Sequence, residues 1–342
     1  MSRWAVILAG GVGSRFWPLS TPRRPKQLLA LVTDSPLLFD SVQRLTPLVP
    51  YERILILASA SIAGDIAQLL PDLPAGNIIA EPRAAGTAPA LAWAALEIER
   101  RDSSSAVMIC VHADWAIGDE DGFRRVLSHA ADTAEREDAL VTVGVVPTRP
   151  DPGFGYIQLA DQVDGAYRVA RFAEKPDVFT AGQMMREGYL WNSGIFVWRV
   201  SDFLKEVRTH TPEVSHALDG NRGIENFFDS VEPVSVDEGL LERSSSVLVI
   251  PGDFQWDDVG TWAALRRVRA RDANGNSVAG EVNLVQAKGN IVHAEGNRVV
   301  LYGVCDLVVV AREGLTLVTT VERAADLKTL LDSLPSSVRE QP

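Results

Sequence analysis

Cysteine is nearly absent. Cys110 and Cys305 are the only two and form no CxxC pair, so neither a disulfide framework nor a thiolate metal site is signalled. Both are expected to be reduced structural thiols. Long apolar runs are missing too: nothing approaches the roughly 18 consecutive apolar residues of a membrane helix. The stretch Trp4 to Ala9 is too short for a secretory signal, so a cytoplasmic protein free of membranes is expected. Cations are outnumbered, 33 Lys+Arg against 45 Asp+Glu, and the net charge of −12 disfavours nucleic acid as a partner. A small anion stays open, because a few convergent Arg, Lys and backbone amides bind phosphate even in an acidic protein. The histidines His112, His129, His210, His216 and His293 form no HExxH or HxH pattern and are expected to be structural or at the surface.

Apolar material is ample. Hydrophobic residues make up 46% of the 342 and charged ones 23%, enough for a sizeable core and a length that suggests two domains. Short apolar runs alternate with helix-length segments. Strands are expected near Trp4 to Ala9, Arg53 to Ser59, Asn77 to Ala80, Ala106 to His112 and Ala139 to Val145. Helices are expected at Ser35 to Leu45, Ile62 to Leu70, Ala88 to Arg101 and Gly122 to Glu137. That grammar is a doubly wound α/β sheet. From Asp151 shorter strands follow, at Tyr156 to Leu159, Tyr167 to Phe172 and Gly194 to Arg199, extending the same sheet. The polar Arg266 to Asn276 reads as a short helix running into a boundary. Ser277 to Thr320 is rich in Val with recurrent Gly, suggesting stacked short strands, and Arg323 to Leu334 closes as a helix. The division expected is 1–265 as a large domain and 277–336 as a small C-terminal domain. Trp4, Trp93 and Trp198 are expected in the core.

The first strand runs into Leu8-Ala9-Gly10-Gly11-Val12-Gly13-Ser14-Arg15. Glycines after a strand let backbone amides approach phosphate oxygens, and Arg15 adds a forked cation. The standard fingerprints do not fit: a dinucleotide loop needs Gly where Phe16 stands, and a P-loop needs Gly-Lys at 15 and 16. By itself the loop serves a phosphate or a tight turn. Its continuation Trp17-Pro18-Leu19-Ser20, then Pro25-Lys26-Gln27, resembles the signature of sugar-1-phosphate nucleotidylyltransferases, and within them mannose-1-phosphate guanylyltransferases. Glu81-Pro82 with Thr87-Ala88-Pro89, Phe154-Gly155-Tyr156-Ile157, Phe172-x-Glu174-Lys175-Pro176, Trp191-Asn192-Ser193-Gly194-Ile195-Phe196 and Trp256-x-Asp258-Val259-Gly260-x-Trp262 resemble further segments of that family in order. No isomerase domain like that of longer relatives is expected in these 342 residues.

The resemblance implies a Rossmann-like nucleotidyltransferase domain with a mixed, mainly parallel sheet and a small C-terminal left-handed β-helix. It implies transfer of GMP from GTP to mannose 1-phosphate, giving GDP-mannose and pyrophosphate with Mg²⁺. Two polyanions must then meet, so the protein's work is positioning and charge. Arg15, Lys26 and Lys175 are the expected catalytic cations. Leu8, Ala9, Gly10, Gly11, Gly13, Arg15, Lys26, Glu81, Gly86 and Thr87 would hold the nucleotide, and Gly155, Glu174, Lys175 and Asn192 the sugar phosphate. Asp114 and Asp258 would chelate the metal, with Asp257 a rival for the second role. Blander readings stand beside each: solvated surface cations for Arg15 and Lys26, a Glu174 salt bridge for Lys175, ordinary loop acids for Asp114 and Asp258, a helix N-cap for Thr87. Three departures from the family pattern stand out. His112 replaces a proline, Trp115 a histidine, and Gly86 an asparagine. They keep open another sugar phosphate such as a heptose, another nucleotide, or a homologue that binds nucleotide sugars without turnover. An apolar C-terminal section also suits a homodimer.

Overall fold

In the computed structural model, residues 1–11, 13–219 and 223–339 are described; Val12 of the Gly-rich loop and Pro342 lie outside the described residues. Along the chain run strands β1 (Arg3–Leu8), β2 (Ile54–Ser59), β3 (Ile78–Glu81), β4 (Val107–His112), β5 (Ala116–Ile117), β6 (Leu140–Val145), β7 (Tyr156–Val163), β8 (Ala166–Ala173), β9 (Leu190–Arg199), β10 (Val247–Gly252), β11 (Trp256–Asp257), β12 (Ser277–Val285), β13 (Ile291–Tyr302), β14 (Leu307–Arg312) and β15 (Leu315–Thr320). The longer helices are α1 (Leu37–Leu45), α2 (Ala63–Leu69), α3 (Thr87–Arg101), α4 (Glu120–Arg136), α5 (Val178–Arg186) and α6 (Val200–His210). By contact the chain gathers into two compact units. The first takes Met1–Gly10, Val42–His112 and Asp119–Gln255, and the second takes Gly11–Ser41, Ala113–Gly118 and Trp256–Pro342. These differ from the expected division at 265 and 277, since residues 11–41 and 113–118 cluster with the C-terminal strands.

The first unit is built on a nine-stranded sheet in the order β3-β2-β1-β4-β9-β6-β10-β8-β7. β1 and β2 are almost wholly buried apolar runs, as strands covered on both faces must be. They pair in parallel with β4 and β3. Beyond β4 the sheet is mostly antiparallel: β9 runs against both β4 and β6, and β7 and β8 form a hairpin. Only β6 and β10 are parallel there. The expected "mainly parallel" sheet therefore holds for its first half alone, and the fold is mixed α/β. β9 starts at Leu190 rather than Gly194, because Asn192 and Trp191 pair with Gly144 and Val145 across a register shift. α4 begins where Asp119 accepts from the Gly122 amide at 2.9 Å, and it buries Phe123, Leu127, Ala130 and Ala134.

In the second unit β12, β13 and β14 are parallel and β15 returns antiparallel. Residues 286–290 alone join β12 to β13. A flat parallel sheet needs a crossover of about a dozen residues, so these strands must coil, each bending along its length. The bend is visible in the pairing: Ser277 to Ala279 face Ile291 to His293, whereas Glu281 to Val285 face Arg298 to Tyr302. Stacked turns hold the coil. Asn290 Nδ2 donates to Asn276 Oδ1 at 3.0 Å and to the Val304 carbonyl at 3.2 Å, and its Oδ1 accepts from the Leu307 amide at 3.0 Å. Glycine precedes each asparagine, Gly275 and Gly289, at positive φ. The helix expected over Arg266 to Asn276 is one short turn, Leu265–Val268, and the terminal helix splits into a turn, Arg323–Asp326, and a helix, Leu327–Ser333.

The core of this unit joins distant stretches of sequence. Phe16, Trp17, Leu19, Leu29 and Leu31 of the opening loop pack with Val259, Trp262 and Leu265 and with Ile291, Val308, Val310 and Leu317 of the strands. Phe16 lies 5.2 Å from Trp262, centroid to centroid. Asn290→Ala is expected to leave the partly buried Leu307 amide without this partner, at about 1–3 kcal/mol, while the Val304 carbonyl keeps the Lys288 amide. A melting temperature equal to that of the wild type would contradict this.

Candidate active site

Lys26 is a buried cation, 5% exposed. Its Nζ donates to Asp114 Oδ2 at 3.1 Å and to the Asp258 carbonyl at 2.7 Å, so the side chain of one acid singled out from sequence and the main chain of the other meet at one ammonium group. The Gly-rich loop lies directly on it. A Cβ on Gly13 would stand 2.4 Å from Lys26 Cβ, and Gly13 has φ +66, so only glycine fits there. Ser20 Oγ donates to the Gly13 carbonyl at 2.6 Å and holds the loop closed. Arg15 is exposed and, among the described residues, carries no ion pair, which leaves its guanidinium available to an anion. Gly10 and Gly11 have open space where a Cβ would stand.

Asp257 and Asp258 are told apart by their partners. Asp257 is buried and bidentate with Arg267, Nε to Oδ2 at 2.6 Å and Nη2 to Oδ1 at 3.1 Å, and it also accepts from the Val259 amide. It braces the turn. Val259 takes φ +48, an outlier for a β-branched residue, and its side chain is fully buried in the core next to Asp258. Trp115, where the family pattern has histidine, is buried and meets Trp256 edge to face at 5.8 Å. It packs the aspartate's neighbourhood instead of supplying a ligand. Two carboxylates are hard oxygen donors suited to a divalent cation, and among the described residues no group of three or more His, Cys, Asp or Glu is gathered. The donor set thus fits an ion that completes its shell with water and substrate phosphate.

The first unit carries the other residues. Gly86 has φ 86 and ψ 174, a region open essentially to glycine, and a Cβ there would sit 2.3 Å from the Val234 carbonyl oxygen. Ala85 and Ala88 flank it with backbone bonds to Val234. The missing asparagine therefore reflects a close backbone approach. Thr87 does not cap its helix as expected: Gly86 is the N-cap, and Thr87 Oγ1 accepts from the Val236 amide at 2.8 Å. Burial raises the Glu81 carboxyl to about 7.

Gly155, Glu174, Lys175 and Asn192 are brought together. A Cβ on Gly155 would lie 2.7 Å from Glu174 Oε2 and 3.4 Å from Asn192 Cβ, and the Asn192 amide donates to the Gly155 carbonyl at 2.8 Å. Lys175, with φ +44, is exposed and pairs with Glu174 Oε1 at 2.6 Å. That salt bridge is the bland arrangement weighed above, and the hydrogen bond that Lys175 donates to Glu174 raises the Lys175 pKa. Sequence reading missed Asp237. It opens a π-helical turn, Asp237–Leu241, and accepts from Asn192 Nδ2 at 2.6 Å. Burial lifts its carboxyl to about 6. The only sequence signal was an acidic pair, Asp237-Glu238, ahead of Leu240-Leu241.

The nucleotidyl transferase family model matches residues 4–275, and the chain belongs to that family. Its relatives narrow the likeness. It is 34% identical to a mannose-1-phosphate guanylyltransferase of Salmonella typhimurium over 100% of this chain and 74% of that protein. It is 35% identical to the Escherichia coli K12 mannose-1-phosphate guanylyltransferase over 99% of this chain and 74% of that one. A crystal structure from Thermus thermophilus, described as a mannose-1-phosphate geranyltransferase, superposes with a TM-score of 0.91 at 32% identity, covering 97% of this chain and 99% of that one. Among the described residues no helix is long and apolar enough to cross a membrane.

Gly86→Asn, which restores the family's residue, is expected to destabilise the protein by about 1–3 kcal/mol from backbone strain before the clash with Val234 is counted. Calorimetry that gave an unchanged or higher melting temperature would remove the close-approach explanation.

Proposed function

We propose that this protein is a mannose-1-phosphate guanylyltransferase, which transfers GMP from GTP to α-D-mannose 1-phosphate and releases pyrophosphate. The observation that carries the chemistry is the meeting of the Lys26 ammonium with the Asp114 carboxylate and the main chain at Asp258. The likeness to enzymes of that name supports the sugar and the base. An oxygen of the sugar phosphate attacks the α-phosphorus of the triphosphate; a P–O bond forms on one side and the bond to pyrophosphate breaks on the other. Lys26 offers a charge already oriented by two oxygens, so little reorganisation is needed when the triphosphate arrives. Arg15, exposed on the loop, takes the phosphates that become the leaving group. Asp114 and Asp258 would hold Mg²⁺, which when bound neutralises phosphate charge and polarises the reacting phosphoryl group.

For the sugar, Lys175 exchanges its Glu174 partner for the phosphate, while Glu174, Asn192 and the Gly155 amide bond hydroxyls. Rejecting an epimer then follows from leaving polar groups that the bound sugar covers unpaired. Glu81 is the acceptor for the N1–H and N2–H groups of guanine, a pair of donors that adenine does not present. A homodimer belongs to the same proposal, with the exposed Val285, Val300 and Tyr302 of β12 and β13 as the apolar surface available to it. Light scattering that returned the mass of one chain would remove it.

Pyrophosphate release should be at least tenfold faster with GTP and mannose 1-phosphate than with any other pairing of four nucleoside triphosphates with mannose, glucose and heptose 1-phosphates. A better pair would replace the assignment, and binding without turnover would make the protein a sensor. Asp258→Asn and Lys175→Ala should each cut turnover by about 10² or more, on the scale for one preorganised charge. A near-wild-type rate in either removes that residue from the mechanism. Glu81 ionises only as pH rises through about 7. KM for GTP should therefore rise as pH falls below 7, and Glu81→Gln should flatten that dependence; a KM independent of pH in the wild type would dismiss the carboxylate as the guanine acceptor.

A further inference from the structure

Two oxygens hold the Lys26 ammonium, but the segment that carries it is held by something else. Residues Lys26–Leu28 form a single 3-10 turn, too short to fix itself. Ahead of the turn, Thr21 and Arg24 bond each other's backbone at 3.0 Å in both directions, and the Arg24 guanidinium grips Glu295 with two bonds, 2.7 and 3.0 Å. Past the turn, Arg269 Nε donates to the Leu31 carbonyl. The two ends are joined through β13: Glu295 Oε1 lies 3.5 Å from His293 Nε2, and His293 Nδ1 meets Arg269 Nη2 at 3.0 Å. One unbroken line of polar side chains, Arg24–Glu295–His293–Arg269, spans the stretch from 24 to 31.

We propose that Glu295 and His293 are positioning residues, a clamp by which strand β13 sets where Lys26 stands and hence how it meets the triphosphate. Surface ion pairs are ordinarily worth little, and forked geometry within a network is the exception. Here Glu295 is held by Arg24 from one side and His293 from the other, and its carboxyl is pulled down to about 2, chiefly by the His293 bond. His293 is buried and backed by Trp262, whose ring stands 6.2 Å away, so the clamp rests on the core and not on a mobile edge. A comparison lies on the same strands. Glu281 and Arg298 form an exposed pair between β12 and β13 with no connection to residues 24–31.

This inference rests on the reading of Lys26 as a triphosphate ligand, and the test keeps the two apart. Wild-type turnover is measured first, and the variants are then read with whichever triphosphate and sugar phosphate the wild type prefers. Glu295→Gln should raise the KM for the triphosphate about tenfold or more while the KM for the sugar phosphate stays within about twofold, on the scale of one charge-assisted bond. Arg24→Gln, at an exposed position, should give the same split without loss of folding. Exchanging the charges, Arg24→Glu with Glu295→Arg, should recover most of the affinity, and Glu281→Gln should change neither constant. The clamp is overturned if Arg24→Gln and Glu295→Gln leave the triphosphate KM unmoved, or if both constants and the melting temperature shift together.

Discussion

The second unit is organised around the burial of one ammonium group. Lys26 has lost almost all contact with water. An ammonium without partners in such a place is untenable by several kcal/mol, so the chain must deliver oxygens to it from elsewhere. It does so from two distant points, the carboxylate of Asp114 and the carbonyl of Asp258. Each delivery imposes a further demand. Gly13 has to be glycine because the loop closes onto the Lys26 side chain. The chain at Asp258 has to turn through a left-handed valine, which is tolerable because Asp257 and Arg267 brace the turn from behind and the Val259 side chain is locked in the core.

The same demand explains why the C-terminal strands matter to a loop near the N-terminus. Among its described residues the loop has no helix or strand of its own beyond single turns. Its apolar residues, Phe16, Trp17, Leu19, Leu29 and Leu31, cannot form a core alone and complete one with Trp262 and the coil of β12 to β15. Side-chain bonds follow the same route: Arg312 reaches the Pro18 carbonyl, and Trp17 the Arg339 carbonyl. The strands from 277 onward thus share one hydrophobic foundation with the residues proposed to bind triphosphate. Loss of order in the coil would be felt at Lys26.

Much of this was legible in sequence where the physics is local. The buried runs at Ala5 to Leu8 and Leu55 to Leu57, the helix α4 and the glycines after β1 follow from apolar period, segment length and residue type. The motifs also pointed to Lys26, Asp114 and Asp258. What stayed hidden depends on partners far along the chain. Nothing local to Thr87 says that its hydroxyl serves Val236 rather than its own helix. Gly86 looks like a lost asparagine until the Val234 carbonyl is seen against it. His293 reads as an isolated histidine, and its place between Arg269 and Glu295 exists only once β13 is coiled. The antiparallel half of the sheet was hidden for a related reason, since burial on both faces marks β9 as a strand but does not give its direction.

In the first unit the close approach at Gly86 does more than seat a helix. Val234 and Val236 are stitched to residues 85–88 by backbone bonds and by the Thr87 hydroxyl, and the next residue along is Asp237, which receives the Asn192 amide. The segment proposed for guanine and the asparagine proposed for the sugar are therefore linked by the three residues 234, 236 and 237. A displacement of the α3 start has a short path to Asn192 through these hydrogen bonds and residues 234–237, and Asn192 in turn is tied to Gly155 and so to the place of Glu174. Recognition of base and sugar would then be supported by one piece of scaffold. That arrangement gives a physical reason for glycine at 86 that is independent of nucleotide contact: any side chain there would push Val234 away and, through it, loosen Asp237 from Asn192.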